Sequence, residues 1–116
     1  MLHRKALFIG ENAMETLAHI KTAIHDIAVS NGAHRAILFG SYARGTATRH
    51  SDIDIVFVEE TAEPFLKRMD KYLYPLLDML REPVEVMVYT PDEFSRMQGG
   101  PFMKRILAEG IIVYEQ

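Results

Sequence analysis

The chain has 116 residues, of which 48% are apolar and 25% charged, a composition typical of a globular protein and not of a disordered one. It contains no cysteine, which excludes disulfides, thiolate metal sites and a cysteine nucleophile. The net charge of −3 disfavours direct binding of nucleic acid, and no apolar run has the length of a membrane span or a signal peptide. We therefore expect a single cytoplasmic domain over residues 1–116 that does not contact a membrane.

The predicted elements begin with a helix over about residues 11–31. Apolar side chains recur there at steps of three and four residues: Met14, Leu17, Ile20, Ile24, Ile27 and Ala28. Asn31-Gly32 is a helix stop signal. The apolar run over 35–39 predicts a buried strand that ends at Gly40-Ser41, and the polar stretch 42–51 predicts a loop with one helical turn at its start.

The middle of the chain predicts two strands separated by a helix. Residues 52–58 alternate in a way that predicts a strand with apolar partners on both of its faces. Pro64 suits the first turn of a helix, and Pro75 inside that helix should kink or split it because proline removes a backbone donor. Pro83 then opens a third strand over 84–89.

The last part of the chain predicts two short helices and a terminal strand. Residues 90–93 form a capping box that begins the first of these helices. Gly99-Gly100-Pro101 interrupts it, and a further helix over 102–109 leads to a strand over 111–114. Together the elements predict an α/β (α+β) fold with a sheet of about four strands covered by helices.

Two acidic residues on the second strand are candidates for phosphate chemistry. Asp52 and Asp54 are two residues apart, so both carboxylates point to one face with Cα atoms about 6.5 Å apart. Such a pair can share one divalent cation or hold two, although a solvated strand end is the common alternative. Upstream, Gly40 allows a phosphate to approach the backbone, and Ser41 begins a turn whose amides and hydroxyl can bind an anion. Gly-Ser by itself is usually only a turn.

Two further charged residues are candidates with open alternatives. Arg44 in the loop can neutralise phosphate charge or can simply keep the loop soluble. Glu85 is the one charge in an apolar strand, so it is either a third acid of the site or a residue of an edge strand that faces water. The nearby acids Asp92 and Glu93 are explained by the start of a helix.

These motifs resemble a known family. Gly40-Ser41, ten further residues and Asp52-Ile53-Asp54 are similar to the signature of polymerase-β-like nucleotidyltransferases, above all the minimal nucleotidyltransferases (MNT). The resemblance covers about residues 34–90, and residues 110–114 are similar to the usual end of the family. It implies a small polymerase-β-like core with a mixed sheet. It also implies transfer of a nucleoside monophosphate from a nucleoside triphosphate to a hydroxyl, with release of pyrophosphate.

The resemblance also implies a role for each candidate residue. Asp52 and Asp54 would hold two Mg²⁺ ions, and Glu85 would complete the metal shell and help to deprotonate the acceptor hydroxyl. Nucleotide binding would fall to three residues of the loop: Gly40, Ser41 and Arg44. The third acid is commonly aspartate in the family, and the extra methylene of Glu85 changes the reach of its carboxylate.

The resemblance finally implies a partner. MNT proteins are antitoxins that pair with a helical HEPN-type ribonuclease toxin and transfer AMP from ATP to one of its tyrosines. The predicted core uses nearly all of the 116 residues, so we expect the acceptor surface to come from a second copy or a partner protein. Two alternatives stay open: a small-molecule nucleotidyltransferase that works as a homodimer or with a separate helical subunit, and a non-catalytic antitoxin that acts by contact.

Overall fold

The computed structural model describes residues 14–116, in which helices alternate with the strands of one sheet. The elements, in chain order, are α1 (Leu17–Ser30), β1 (Arg35–Phe39), α2 (Ser41–Arg44), β2 (Ile53–Val58), a 3-10 helix (Phe65–Lys67), α3 (Asp70–Met79), β3 (Val84–Tyr89), α4 (Pro91–Met97), α5 (Pro101–Glu109) and β4 (Ile111–Glu115). No helix in this part of the chain is long and apolar enough to cross a membrane.

The four strands form one mixed sheet in the order β3-β2-β1-β4. The central strand β1 is antiparallel to β2 and to β4, whereas β2 and β3 are parallel. The parallel pair is connected by a crossover that contains α3, as parallel strands require. The predicted α+β fold with a mixed sheet of about four strands is confirmed.

Both faces of the sheet are buried under helices, which explains why β2 has apolar residues on each side. Ile53, Ile55 and Phe57 belong to the apolar cluster that the sheet forms with α1 and α3. Val56 and Val58 alternate with them and belong to the cluster on the opposite face, with side chains of α4 and α5. Each fully buried side chain of this size contributes about 1.5–3 kcal/mol through the hydrophobic effect. Because β1 and β2 bury side chains on both faces, burial stabilises these two strands most.

The first helix begins later than its apolar repeat predicts. Thr16 is the N-cap, with an extended backbone and a side chain that accepts a hydrogen bond from the His19 amide, so α1 begins at Leu17 and Met14 precedes it. The predicted start at about residue 11 is therefore wrong, and residues 11–13 lie outside the described part of the chain. The predicted stop is confirmed, because Asn31 is the C-cap.

The helix predicted to start at Pro64 is divided, but not at its internal proline. A 3-10 turn follows Pro64, and α3 begins only at Asp70 and runs through Pro75 without a break. Pro75 has no amide to donate to the carbonyl of Lys71, and that carbonyl accepts a hydrogen bond from Asn31 Nδ2 instead, at 3.2 Å. The predicted split at Pro75 is wrong because a side chain of the neighbouring helix end replaces the missing donor.

Candidate active site

The candidate site begins where β1 ends. Gly40 has φ 77° and ψ −158°, a backbone conformation that is essentially open to glycine alone. Phe39 pairs with Asp54 across the sheet, and a Cβ atom added at Gly40 would overlap the Asp54 carboxylate. The glycine therefore serves two purposes, since it turns the chain and it leaves room for the acid.

Ser41 follows as the first residue of α2, a single helical turn that ends at Arg44. Gly40 is the N-cap and gives this turn no side-chain hydrogen bond. The Gly40 carbonyl accepts hydrogen bonds from the amides of Ala43 and Arg44, both at 3.1 Å, which closes the turn. The predicted helical turn at the start of the loop is confirmed, and it directs Ser41 and Arg44 toward the end of the sheet where Asp54 lies.

The structure places Asp52 and Glu85 near Asp54, although the three carboxylates do not converge on one point. Asp52 is exposed just before β2, and Asp54 is partly buried within the strand. Glu85 stands directly opposite Asp54 in the parallel register of β2 and β3. β3 is an edge strand and Glu85 is exposed, so the two sequence interpretations of Glu85 describe the same position: it faces water and it adjoins the acid pair.

The pKa of Asp54 reflects its partial burial and its charged neighbours. Burial raises the pKa of Asp54 from 3.8 to about 6, with further contributions from the carboxylates of Glu85 and Asp52. The guanidinium of Arg44 acts in the opposite direction and lowers the pKa of Asp54. Asp54 therefore senses both other acids and the arginine, which places all four charges in one electrostatic environment.

A cleft of about 300 Å³ joins the loop and strand residues to the last helix. Its walls contain four of the six predicted site residues, together with Phe39 and one face of α5; the complete lining is Phe39, Gly40, Ser41, Arg44, Asp54, Phe102, Arg105, Ile106 and Glu109. Arg44 Nη1 lies 3.7 Å from Glu109 Oε2, so α5 also contacts the loop through an ion pair. Asp52 and Glu85 do not line this cleft but adjoin Asp54 beside it.

Sequence reasoning missed the contribution of α5. Phe102, Arg105, Ile106 and Glu109 follow the i, i+3, i+4, i+7 pattern of one helix face, a signal that was present in the sequence. The pattern does not say which part of the sheet that face covers, because this depends on the strand order. A larger cavity of about 360 Å³ lies at the other end of β1, near Arg35, and none of the predicted site residues line it.

The donor set of the site suits magnesium. Asp52, Asp54 and Glu85 offer carboxylate oxygens, which Mg²⁺ prefers, and a cation would relieve the repulsion that raises the pKa of Asp54. Within residues 14–116, no three His, Asp or Glu side chains converge closely enough to form a metal site by themselves. A cation bound here would therefore need further ligands, from water or from a substrate.

The fold is an α+β domain with one cleft beside the candidate residues, and comparison with known proteins identifies its family. Residues 23–114 match the model of the nucleotidyltransferase domain, so the chain belongs to the nucleotidyltransferase domain family. The family resemblance that the Gly-Ser and Asp-x-Asp motifs predicted is confirmed.

Two similar proteins come from Methanocaldococcus jannaschii and are named as supposed protein adenylyltransferases. One is 39% identical over 70 residues, which cover 60% of this chain and 74% of the relative. The other is 30% identical over 80 residues, which cover 69% of this chain and 77% of the relative.

Two solved structures share the fold. A chain in the crystal structure of a toxin–antitoxin with AMP-PNP superposes with a TM-score of 0.62 and 20% identity, over 83% of this chain and 73% of that one. A supposed nucleotidyltransferase from Sulfolobus solfataricus superposes with a TM-score of 0.50 and 23% identity, over 86% and 83% of the two chains. At these identities, the likeness establishes the fold.

Proposed function

We propose that this protein is a magnesium-dependent adenylyltransferase that transfers AMP from ATP to a hydroxyl group of another protein, with release of pyrophosphate. The observation that carries the proposal is the position of Asp54, which lies against Gly40 on one side and opposite Glu85 on the other. The turn after β1 and Asp54 line one cleft, and Asp52 and Glu85 adjoin Asp54 beside it, which supports a role of this end of the sheet in binding a nucleotide and its metal. The names of the M. jannaschii relatives support the choice of adenylyl transfer to protein.

Different side chains would bind the nucleotide and the metal in such a transfer. Ser41 and Arg44 both line the cleft and would bind the pyrophosphate portion of ATP, through a hydroxyl and a guanidinium that donate to phosphate oxygens. Asp52 and Asp54 would hold magnesium, which neutralises charge on the triphosphate and on the in-line transition state. Asp54 has a pKa of about 6, so it carries its charge at neutral pH.

Glu85 would act on the acceptor in this proposal. Its side chain is exposed on the edge strand, beside Asp54 and open to an approaching hydroxyl. It would accept the hydroxyl proton as the new oxygen–phosphorus bond to AMP forms and the bond to pyrophosphate breaks. A tyrosine is a suitable acceptor, because its phenol ionises near pH 10 and an aliphatic alcohol far above that.

We further propose that the acceptor is a tyrosine of a HEPN-type helical toxin, which makes this protein an antitoxin. The resemblance to minimal nucleotidyltransferases motivates the assignment. The structural likeness to a chain of a toxin–antitoxin with AMP-PNP supports it, at a TM-score of 0.62. In this proposal the toxin supplies the acceptor hydroxyl, and the cleft of this protein binds the nucleotide.

The proposal is tested by intact mass spectrometry. The protein is incubated with ATP and Mg²⁺, with and without a helical protein encoded by a neighbouring gene, and GTP, CTP and UTP are compared in parallel. We expect the helical partner to gain the mass of one or more AMP units while its ribonuclease activity falls. Asp54→Asn should prevent both changes.

Two outcomes would replace the proposal. If Asp54→Asn still neutralises the partner and no mass is gained, the protein acts by contact alone. If the purified protein instead modifies a small alcohol efficiently with no partner present, it is a small-molecule nucleotidyltransferase.

A further inference from the structure

The last helix presents one face to the nucleotide cleft. Phe102, Arg105, Ile106 and Glu109 all line the cleft, and their spacing puts them on a single side of α5. Ile106 is fully buried in the cluster beneath the sheet, so it anchors this face against β1. The face therefore has a fixed position relative to Gly40 and Ser41, which follow β1 directly.

The two arginines of the cleft differ in their partners. Arg44 is engaged, since its guanidinium lies 3.7 Å from the carboxylate of Glu109. Arg105 lies one helical turn before Glu109, and within residues 14–116 its exposed side chain makes no ion pair and no hydrogen bond. Arg105 lines the cleft on its helix side, and Ser41 lines it on its loop side. An uncompensated guanidinium in that position is suited to a phosphate.

We infer that Arg105 binds the pyrophosphate portion of the nucleotide from the α5 side of the cleft, opposite Ser41. The inference rests on the proposed nucleotidyltransferase function and adds a binding residue outside the family motif. The triphosphate would lie between α2 and α5, with a guanidinium on each side. Phosphate oxygens would also compete with Glu109 for Arg44, because a bidentate phosphate pair is stronger than an exposed ion pair at 3.7 Å.

The test is isothermal titration calorimetry of AMP-PNP and AMP, each with Mg²⁺, against the wild-type protein and two variants of the same helix. Arg105→Ala removes the proposed contact. Lys104→Ala is the matched control, because it removes a neighbouring exposed cation that does not line the cleft. We expect Arg105→Ala to weaken AMP-PNP binding about ten-fold, the effect of one charged hydrogen-bonding group that is partly open to water. Lys104→Ala should change it by less than about two-fold, the scale of exposed charges.

The nucleotide comparison locates the contact. AMP lacks the pyrophosphate portion, so Arg105→Ala should change AMP binding by less than about two-fold as well. An equal loss for AMP and AMP-PNP would overturn the inference, and so would equal affinities of Arg105→Ala and Lys104→Ala for AMP-PNP. A wild-type protein that binds no AMP-PNP would instead overturn the proposed function. Arg105→Gln repeats the test if the alanine variant does not fold.

Discussion

Replacing Asp54 by asparagine should stabilise the fold while it abolishes nucleotide transfer. Burial, with the neighbouring carboxylates of Glu85 and Asp52, raises the pKa of Asp54 from 3.8 to about 6. A carboxyl group whose pKa is higher in the folded state binds its proton more tightly there than in the unfolded chain. The charged form therefore destabilises the fold. Asparagine keeps nearly the same shape and removes that charge.

The size of the gain follows from the raised pKa. A pKa that rises by about 2 corresponds to about 3 kcal/mol at a pH above both values, and half of this is a realistic expectation because Asp54 is only half-buried. A gain of about 1.5 kcal/mol would raise the melting temperature by roughly 6 °C in a domain of this size. The destabilisation by the charge is absent below about pH 4, grows between about pH 4 and pH 6, and stays constant above.

The assay is thermal unfolding of Asp54→Asn and of the wild type at pH 8 and at pH 4, without magnesium. The variant should be more stable at pH 8 and equal to the wild type at pH 4. Asp52→Asn is the control, because Asp52 is exposed and its removal should give a smaller gain while still abolishing transfer. Equal stability of Asp54→Asn and the wild type at pH 8 would refute the electrostatic account, as would a gain that does not depend on pH.

Three further predictions test the surroundings of the site and one packing feature. Gly40→Ala should destabilise the protein by at least about 2 kcal/mol in urea unfolding, whereas Gly45→Ala, at a similar positive φ but in open space, should cost only about 1 kcal/mol. Ser41→Ala should weaken ATP binding by about 1–3 kcal/mol in calorimetry, and an unchanged affinity would place the triphosphate elsewhere. Asn31→Ala should cost about 1 kcal/mol of stability in the wild type, because it removes the hydrogen bond from Asn31 to the Lys71 carbonyl. The cost should be smaller in a Pro75→Ala background, where the restored amide can donate to that carbonyl, and additive effects of the two substitutions would argue against the hydrogen bond.

The elements that sequence predicts well are those with complete local signals. β1 and β3 have the predicted bounds, since each is a short apolar run ended by glycine or by the start of a helix. The capping box at residues 90–93 forms as predicted, with Thr90 Oγ1 accepting from the Glu93 amide at 3.1 Å and Glu93 Oε1 accepting from the Thr90 amide at 2.9 Å. Both partners of these bonds lie within four residues, so the chain itself encodes them.

The interactions that sequence did not predict join residues far apart in the chain. Glu93 fulfils its local role and also accepts two hydrogen bonds from the buried Arg68, at 2.6 and 3.2 Å, which lowers the pKa of Glu93 to about 2. Glu59 is buried at the end of β2, where the Tyr72 hydroxyl and the Lys71 ammonium donate to its carboxylate. Buried charges of this kind need partners that only the folded chain supplies.

The candidate site also contains parts that follow from local sequence and parts that depend on contacts between distant residues. The spacing of Gly40, Asp52 and Asp54 is local, so their proximity follows once β1 and β2 pair as antiparallel neighbours. The position of Glu85 depends on the parallel pairing of β3 with β2, and the position of Arg105 depends on the packing of α5 against β1. Periodicity indicates which face of a helix is apolar but not which strand it covers, and this is why the α5 wall of the cleft was missed.

The residues of the candidate site are divided between the central strands and an edge strand of the sheet. Fixing Gly40 costs conformational entropy and the crowded charge of Asp54 destabilises the fold, and both residues lie on or next to the two central strands, whose side chains are buried on each face. Those strands can tolerate both costs because their packing is the most extensive in the sheet. Glu85 stands on the edge strand, where an acid can be exposed without a buried partner, and in the proposed function it would meet a hydroxyl from another molecule. In the proposed function, the extra methylene of Glu85 would let an edge carboxylate reach toward the acceptor while Asp54 stays against Gly40.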